Sequence, residues 1–135
     1  MITNETQQAL VDQAVEAWKM AYAPYSNYPV GAAVLTESGQ VFTGANVENA
    51  VYPLTMCGER VAIFTAVANG HKTFQAIAVV TRNGGTPCGS CRQVMAEFGT
   101  DTLVLIANAK GEILQSLAVK DLLPSAFSEA DLRAE

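Results

Sequence analysis

Histidine is nearly missing from this 135-residue chain, which has only His71, and cysteine stops at three: Cys57, Cys88 and Cys91. A structural zinc site closes its tetrahedron with four protein ligands, whereas a catalytic one keeps three and leaves a position for water. His71 is a poor fourth ligand. It lies past the end of the helix that Cys57 is expected to open, roughly 18 Å or more along the axis at ~1.5 Å per residue. The odd cysteine count also speaks against a framework of paired disulfides.

Cations are scarce, with 8 Lys and Arg against 13 Asp and Glu and a net charge of -5. Binding to a nucleic-acid polymer draws on Lys and Arg displacing counterions, so that partner class is disfavoured and a small uncharged or cationic ligand fits better. No apolar run approaches the ~20 residues of a membrane span; the longest lie near residues 30–35 and 76–80. The first residues lack the basic stretch and apolar core of a secretory leader. The expectation is a reducing cytoplasm, where thiols bind metal rather than pair. No repeat, linker or low-complexity tail interrupts a chain that is 50% hydrophobic, which predicts one domain over residues 1–135 with a sizeable core.

Hydrophobic spacing divides that domain into elements. Val11, Val15, Trp18 and Tyr22 recur at helical steps, predicting a first helix capped by Asn4 or Thr3 and ended at Pro24. Residues 30–36 and 40–45 read as strands joined by Glu37-Ser38-Gly39, a hairpin signal. From Cys57 a helical pattern runs to the stop pair Asn69-Gly70. Residues 76–80 form an apolar run of the kind covered on both faces of a sheet. A further helix is expected over about residues 88–98, strands over 103–107 and 112–117, and a short helix over 119–123. This order predicts an α/β fold, a three-layer α/β/α sandwich around a mixed five-stranded sheet, with parallel pairing across the helical connections. Both cysteine motifs then fall at strand-to-helix junctions, the edge where ligand sites of open α/β sheets gather.

The motifs themselves are Cys57-Gly58-Glu59 and Pro87-Cys88-Gly89-Ser90-Cys91. Cys88 and Cys91 are three apart, so a first helical turn puts both sulfurs on one face. Pro87 suits a helix entrance, and Gly89 removes bulk where backbone nears a metal. Helix N-termini favour thiolate over thiol. Three thiolates on Zn²⁺ leave a net negative centre, and an ion's own charge governs the acidity of its water. A compensating cation is therefore expected, Arg60 first and Arg92 second. Glu59 would serve as the proton shuttle for a metal-activated water. On these residues alone other readings stay open: Cys57 as a small buried hydrophobe, Cys88 and Cys91 as a redox dithiol, or a non-catalytic zinc-binding module.

Taken together, the two motifs, with Arg92-Gln93 following the second, resemble the signature of the cytidine deaminases. The resemblance extends through Ala23-Pro24-Tyr25-Ser26, Val30-Gly31-Ala32-Ala33, Asn46-Val47-Glu48-Asn49-Ala50 and Leu122-Leu123-Pro124-Ser125-Ala126-Phe127. It implies a cytidine deaminase-like fold and one Zn²⁺ per chain on Cys57, Cys88 and Cys91, with Glu59 as the general acid/base outside the ligand set. By the same resemblance Glu59 moves a proton to N3 of cytosine while hydroxide adds at C4, and ammonia then leaves. Asn46 and Glu48 are implied to bind the ribose hydroxyls. Phe127, Ala50 and Tyr52 are implied to reach a neighbouring subunit's substrate in a homotetramer with active sites at its interfaces.

Three positions depart from the family pattern. Gly58 replaces a usual Ala and is expected to leave room near the amino end of the base. Tyr28 replaces Phe against the ring, and its hydroxyl needs a partner if buried. Ala45 replaces a frequent Cys. The resemblance implies zinc-dependent deamination of cytidine and 2′-deoxycytidine in pyrimidine salvage; the alternative is deamination of another amidine-bearing base such as blasticidin S.

Overall fold

Five strands form one sheet in the order β2-β1-β3-β4-β5 in this computed structural model, which describes residues 2–134. The strands are β1 (Gly31–Thr36), β2 (Val41–Ala45), β3 (Phe74–Thr81), β4 (Leu103–Asn108) and β5 (Ile113–Ala118). The helices are α1 (Asn4–Trp18), α2 (Gly58–Ala68), α3 (Gly89–Phe98), α4 (Val119–Leu122) and α5 (Glu129–Arg133), with a 3₁₀ turn at Tyr52–Leu54. The 3₁₀ turn and α5 left no trace in the hydrophobic spacing, because both are short and neither buries a residue.

Side chains alternate across a strand, and here the alternation builds two cores. Ala33, Leu35, Ala76, Ala78, Val80, Leu105 and Ala107 face Leu10, Val11 and Ala14 of α1. Ala32, Val34, Ile77, Val79, Val104 and Ile106 pack on the other side against Ala62, Ile63 and Ala66 of α2 and Met95 of α3. The sandwich of three layers around a mixed sheet is as expected. Apolar residues on both sides of β3 explain why its sequence reads as a continuous run rather than an alternation.

Strand pairing corrects one expectation. Among the strands of the described residues, only β3 and β4 pair directly in parallel. The hairpin strand β1 lies between β2 and β3 and is antiparallel to both, so β2 and β3 share a direction without touching. The helical connection from β2 to β3 therefore passes over β1. For this crossing α2 comes very close to the sheet: a Cβ on Gly44 would stand 2.4 Å from the Ala62 nitrogen and 2.8 Å from the Gly58 carbonyl oxygen. Only glycine permits that approach.

The first helix ends before Pro24. Thr3 caps it, its hydroxyl accepting from the Thr6 N–H at 3.1 Å. Beyond Trp18 the backbone takes other partners: the Tyr22 N–H donates to the Asn46 carbonyl, and the Tyr22 carbonyl accepts from the Glu48 N–H, both at 2.9 Å. Tyr22 thus leaves the helical face on which its spacing had placed it. Bridges from Tyr22 to Val47 and from Val47 to Met56 draw three distant segments together immediately before Cys57.

Candidate active site

Cys57 and Cys88 each occupy the residue just before a helix, with extended backbone and no capping bond from the side chain. Both sulfurs are therefore free to turn toward a common point between the positive ends of α2 and α3. Cys91 lies in the first turn of α3 and is fully buried. The Cys88 sulfur is 3.5 Å from that of Cys91 and 3.9 Å from that of Cys57, and all three lie within 4.8 Å of one another. Sulfurs about 2.3 Å from a tetrahedral zinc stand ~3.8 Å apart. The triangle has the size of one face of a zinc site, and the donor set is of the type zinc prefers.

Acidity is distributed unevenly over the triangle. The hydrogen bond from Cys91 and the Arg60 guanidinium bring Cys57 down to about 5, against the effect of burial. Cys91, which donates that bond and is itself buried, is pushed up. A cation placed between the sulfurs would take over the role of that proton, so metal binding and proton release are coupled here. Arg60 Nη2 donates to Cys57 Sγ at 3.1 Å. Arg92 does not reach the sulfurs. Its guanidinium bonds the carbonyls of Pro87 at 2.7 Å and Leu122 at 2.8 Å and the Thr86 hydroxyl at 3.1 Å. The expectation of a sulfur contact from Arg92 is corrected: it clamps the loop that leads into Cys88.

Glu59, two residues into the chain beyond Cys57, is 4% exposed and lines a cavity of about 280 Å³ together with Cys57 and Cys88. Burial holds its carboxyl above the usual range; the negative charge of Cys57 adds to this, while its own backbone N–H opposes it. Asn46, Glu48, Ser26 and Tyr28 line the same cavity, and the end of β3 contributes Val79 and Thr81. Asn46 and Glu48 are both buried and lie on the extended stretch after β2, so their side chains point the same way. Three hydrogen bonds from the turn at residues 25–26 hold Glu48 below the usual carboxylate range, the Ser26 hydroxyl foremost. The Tyr28 hydroxyl finds its partner in Asn83 Oδ1 at 2.6 Å, and Arg82 stacks 4.9 Å from the Tyr28 ring.

Gly58 does not open onto this cavity. A Cβ there would stand 2.8 Å from the Val30 carbonyl oxygen and 3.2 Å from the Asn46 nitrogen. The space left by the missing methyl faces the backbone of the sheet, which corrects the expectation of extra room beside the base. Ala50, Tyr52 and Phe127 are also absent from the cavity wall of their own chain. Tyr52 is 69% exposed and Phe127 58% exposed, and the Phe127 carbonyl is held by Gln93 Nε2 at 2.8 Å. Sequence reasoning passed over Ser26, Thr55, Val79, Thr81, Gly85 and Thr86, all on the wall. Ser26 stood within a matching block, but nothing local marked it as facing a cavity. A wider cleft of about 730 Å³ opens at the other end of β3 and β4, beside Phe74, Phe98 and Asp101; the thiol triangle is not part of it.

A triangle of three sulfurs with the dimensions of one face of a zinc site, two of them sharing a cavity with a buried carboxyl at the end of an α/β sheet, defines a metal-dependent hydrolytic enzyme of the zinc deaminase type. Residues 4–107 match the family model described as the cytidine and deoxycytidylate deaminase zinc-binding region, and the chain belongs to that family. It is 46% identical over 128 residues to a cytidine deaminase of Sporosarcina psychrophila, covering 93% of each chain. A crystal structure of cytidine deaminase from Burkholderia pseudomallei is 47% identical and superposes with a TM-score of 0.85 over 93% of this chain and 100% of that one. A blasticidin-S deaminase of Bacillus cereus is 30% identical over 129 residues, 88% of this chain and 90% of its own length.

Proposed function

We propose that the chain, as a single catalytic domain, hydrolyses cytidine and 2′-deoxycytidine to uridine and 2′-deoxyuridine with release of ammonia, serving pyrimidine salvage. The observation that carries this reading is that buried Glu59 lines one cavity together with Cys57 and Cys88 of the sulfur triangle and with Asn46 and Glu48. When bound to Cys57, Cys88 and Cys91, zinc supplies the Lewis acidity that makes a water nucleophilic near neutral pH.

The chain's own residues do the remainder. The Glu59 carboxylate takes a proton from the attacking water and delivers it to N3 of the base, which makes C4 electrophilic. Once C4 is tetrahedral, the same carboxylate takes the proton of the new C4 hydroxyl and passes it to the amino nitrogen; the C–N bond breaks, ammonia leaves and the C4 carbonyl forms. A carboxyl raised by burial suits a group that must hold and release a proton near the working pH. Asn46 and Glu48 hold the sugar, and the Tyr28 ring forms a wall for the base. The sugar-directed pair, together with the lower identity to the blasticidin-S deaminase, favours a nucleoside over that antibiotic.

Beside the cavity, Tyr22, Tyr25, Val47, Val51, Tyr52 and Leu54 leave apolar surface exposed, and the rings of Tyr25 and Tyr52 meet at 5.8 Å. Contiguous apolar patches of this kind mark contact surfaces. They support a homotetramer in which Phe127, Ala50 and Tyr52 of one chain approach a neighbour's site. No helix among the described residues is long and apolar enough to cross a membrane; reduced thiols at the metal site support a cytoplasmic setting. Incubating the protein with cytidine tests the reading: uridine and ammonia should form in equal amounts, and a chelator should stop the reaction. Unchanged cytidine refutes it. Light scattering tests the assembly, with four chains expected.

A further inference from the structure

The geometry points to Ser26 as a positioning residue that fixes the Glu48 carboxylate so that it presents a single acceptor position to the substrate sugar. This deepens the reading of Asn46 and Glu48 as sugar contacts and rests on it.

An ionised carboxylate has about four lone-pair sites. Glu48 Oε1 accepts two backbone N–H groups, from Tyr25 at 2.9 Å and Ser26 at 3.0 Å. Oε2 accepts the Ser26 hydroxyl, which leaves one site. That hydroxyl has only one proton, and its own oxygen accepts the Tyr28 N–H at 3.0 Å. The Ser26 rotor is therefore fixed from both sides. Asn46 is committed in a similar way: Oδ1 accepts the Val30 N–H at 2.9 Å, and Nδ2 donates to the Tyr28 carbonyl at 3.1 Å. One Nδ2 proton is left over.

The pair thus offers the cavity one acceptor and one donor, the complement of a single hydroxyl group. Cytidine and 2′-deoxycytidine share the 3′- and 5′-hydroxyls. The 3′-hydroxyl is the one assigned to this pair, a choice that 2′,3′-dideoxycytidine tests because it keeps only the 5′-hydroxyl. Without the Ser26 hydroxyl, Oε2 loses its only protein donor while Oε1 stays held by the two N–H groups, so the carboxylate can pivot about Oε1 and the free acceptor site is no longer fixed on the sugar. The turn at residues 25–28 keeps its remaining bonds, so the effect is on recognition of the sugar rather than on the chemistry at C4.

The test compares cytidine with 2′,3′-dideoxycytidine on the zinc-loaded protein. Ser26→Ala should raise KM for cytidine by about tenfold, the order of one hydrogen bond to a charged group, with kcat little changed. On 2′,3′-dideoxycytidine the wild type and Ser26→Ala should share one KM. Ser26→Thr, which keeps the hydroxyl, should return the cytidine KM toward that of the wild type. If Ser26→Ala does not fold, Ser26→Cys keeps the volume with only a weak donor and should show the same selective loss. Equal losses on the two nucleosides, an unchanged cytidine KM, or a threonine variant as poor as alanine each overturn the inference alone. Wild-type protein that leaves cytidine untouched overturns the functional reading and this inference with it.

Discussion

Arg60 Nη2 stands 3.1 Å from Cys57 Sγ, a charged donor that helps bring this thiol down to about 5. The Arg60 Nε is buried without a hydrogen-bond partner, so the guanidinium spends its bonding on the sulfur side. A ligand's outer partner tunes both its orientation and its charge. Arg60→Gln should therefore weaken zinc binding by about 10–100-fold, read by chelator competition. An unchanged zinc affinity would show that the contact is incidental.

Among the described residues, Glu59 is the only carboxyl shared by the cavity wall and the neighbourhood of the sulfurs. Glu59→Gln keeps the shape but can neither take nor hold the travelling proton. Turnover of cytidine should fall by about 10²–10⁴-fold, the usual range for a general acid/base. Zinc content measured by atomic absorption should stay at one per chain. Near-normal turnover in this variant contradicts the mechanism.

Glu48 predicts a dependence of stability on pH. Its folded-state acidity is strengthened by the Ser26 hydroxyl and the N–H groups of Ser26 and Tyr25. A depressed carboxyl contributes stability that is fully present above its unfolded value, about 4.3. That contribution is lost as pH falls through the folded value. Thermal melts of the wild type and Glu48→Gln should differ at neutral pH and draw together as the solution is acidified below that value. A constant gap across the range would mean that the charge plays no part.

Gly44 bears on how α2 is seated. A methyl there meets backbone atoms of Ala62, Gly58 and Val61 within 3 Å, and backbone yields less readily than a side-chain tip. Gly44→Ala should cost about 1–3 kcal/mol, as overpacking does, seen as a lower urea midpoint. Because α2 carries Glu59 and opens at Cys57, the same variant should bind zinc less tightly. Wild-type stability would mean that the helix can lift off the strand without penalty.

Much of the architecture was legible because its signals are local. The two-sided apolar run of β3 and the turn at residues 37–39 each carry their own pattern, and the structure places the elements close to where those patterns put them. The end of α1 was not legible. Spacing extended the helix to Tyr22, but pairing of Tyr22 with Asn46 and Glu48 claims that backbone instead. Arg60 and Arg92 look alike in the sequence, each following a motif residue. Their difference appears only when Arg92 meets the Leu122 carbonyl, thirty positions away.

By itself the sequence determined which chemistry the chain could carry: three sulfurs, a neighbouring carboxyl, and a spacing that puts two of the thiols on one helical turn. Such relations span a few residues, and backbone geometry alone enforces them. The tertiary structure decided the rest: that Cys57 meets Cys88 across 31 positions, that Gly58 turns toward the sheet, and that Ser26 reaches Glu48. These depend on β1 lying between β2 and β3 and on which distant partner wins each hydrogen bond, a competition settled only when the segments pack together.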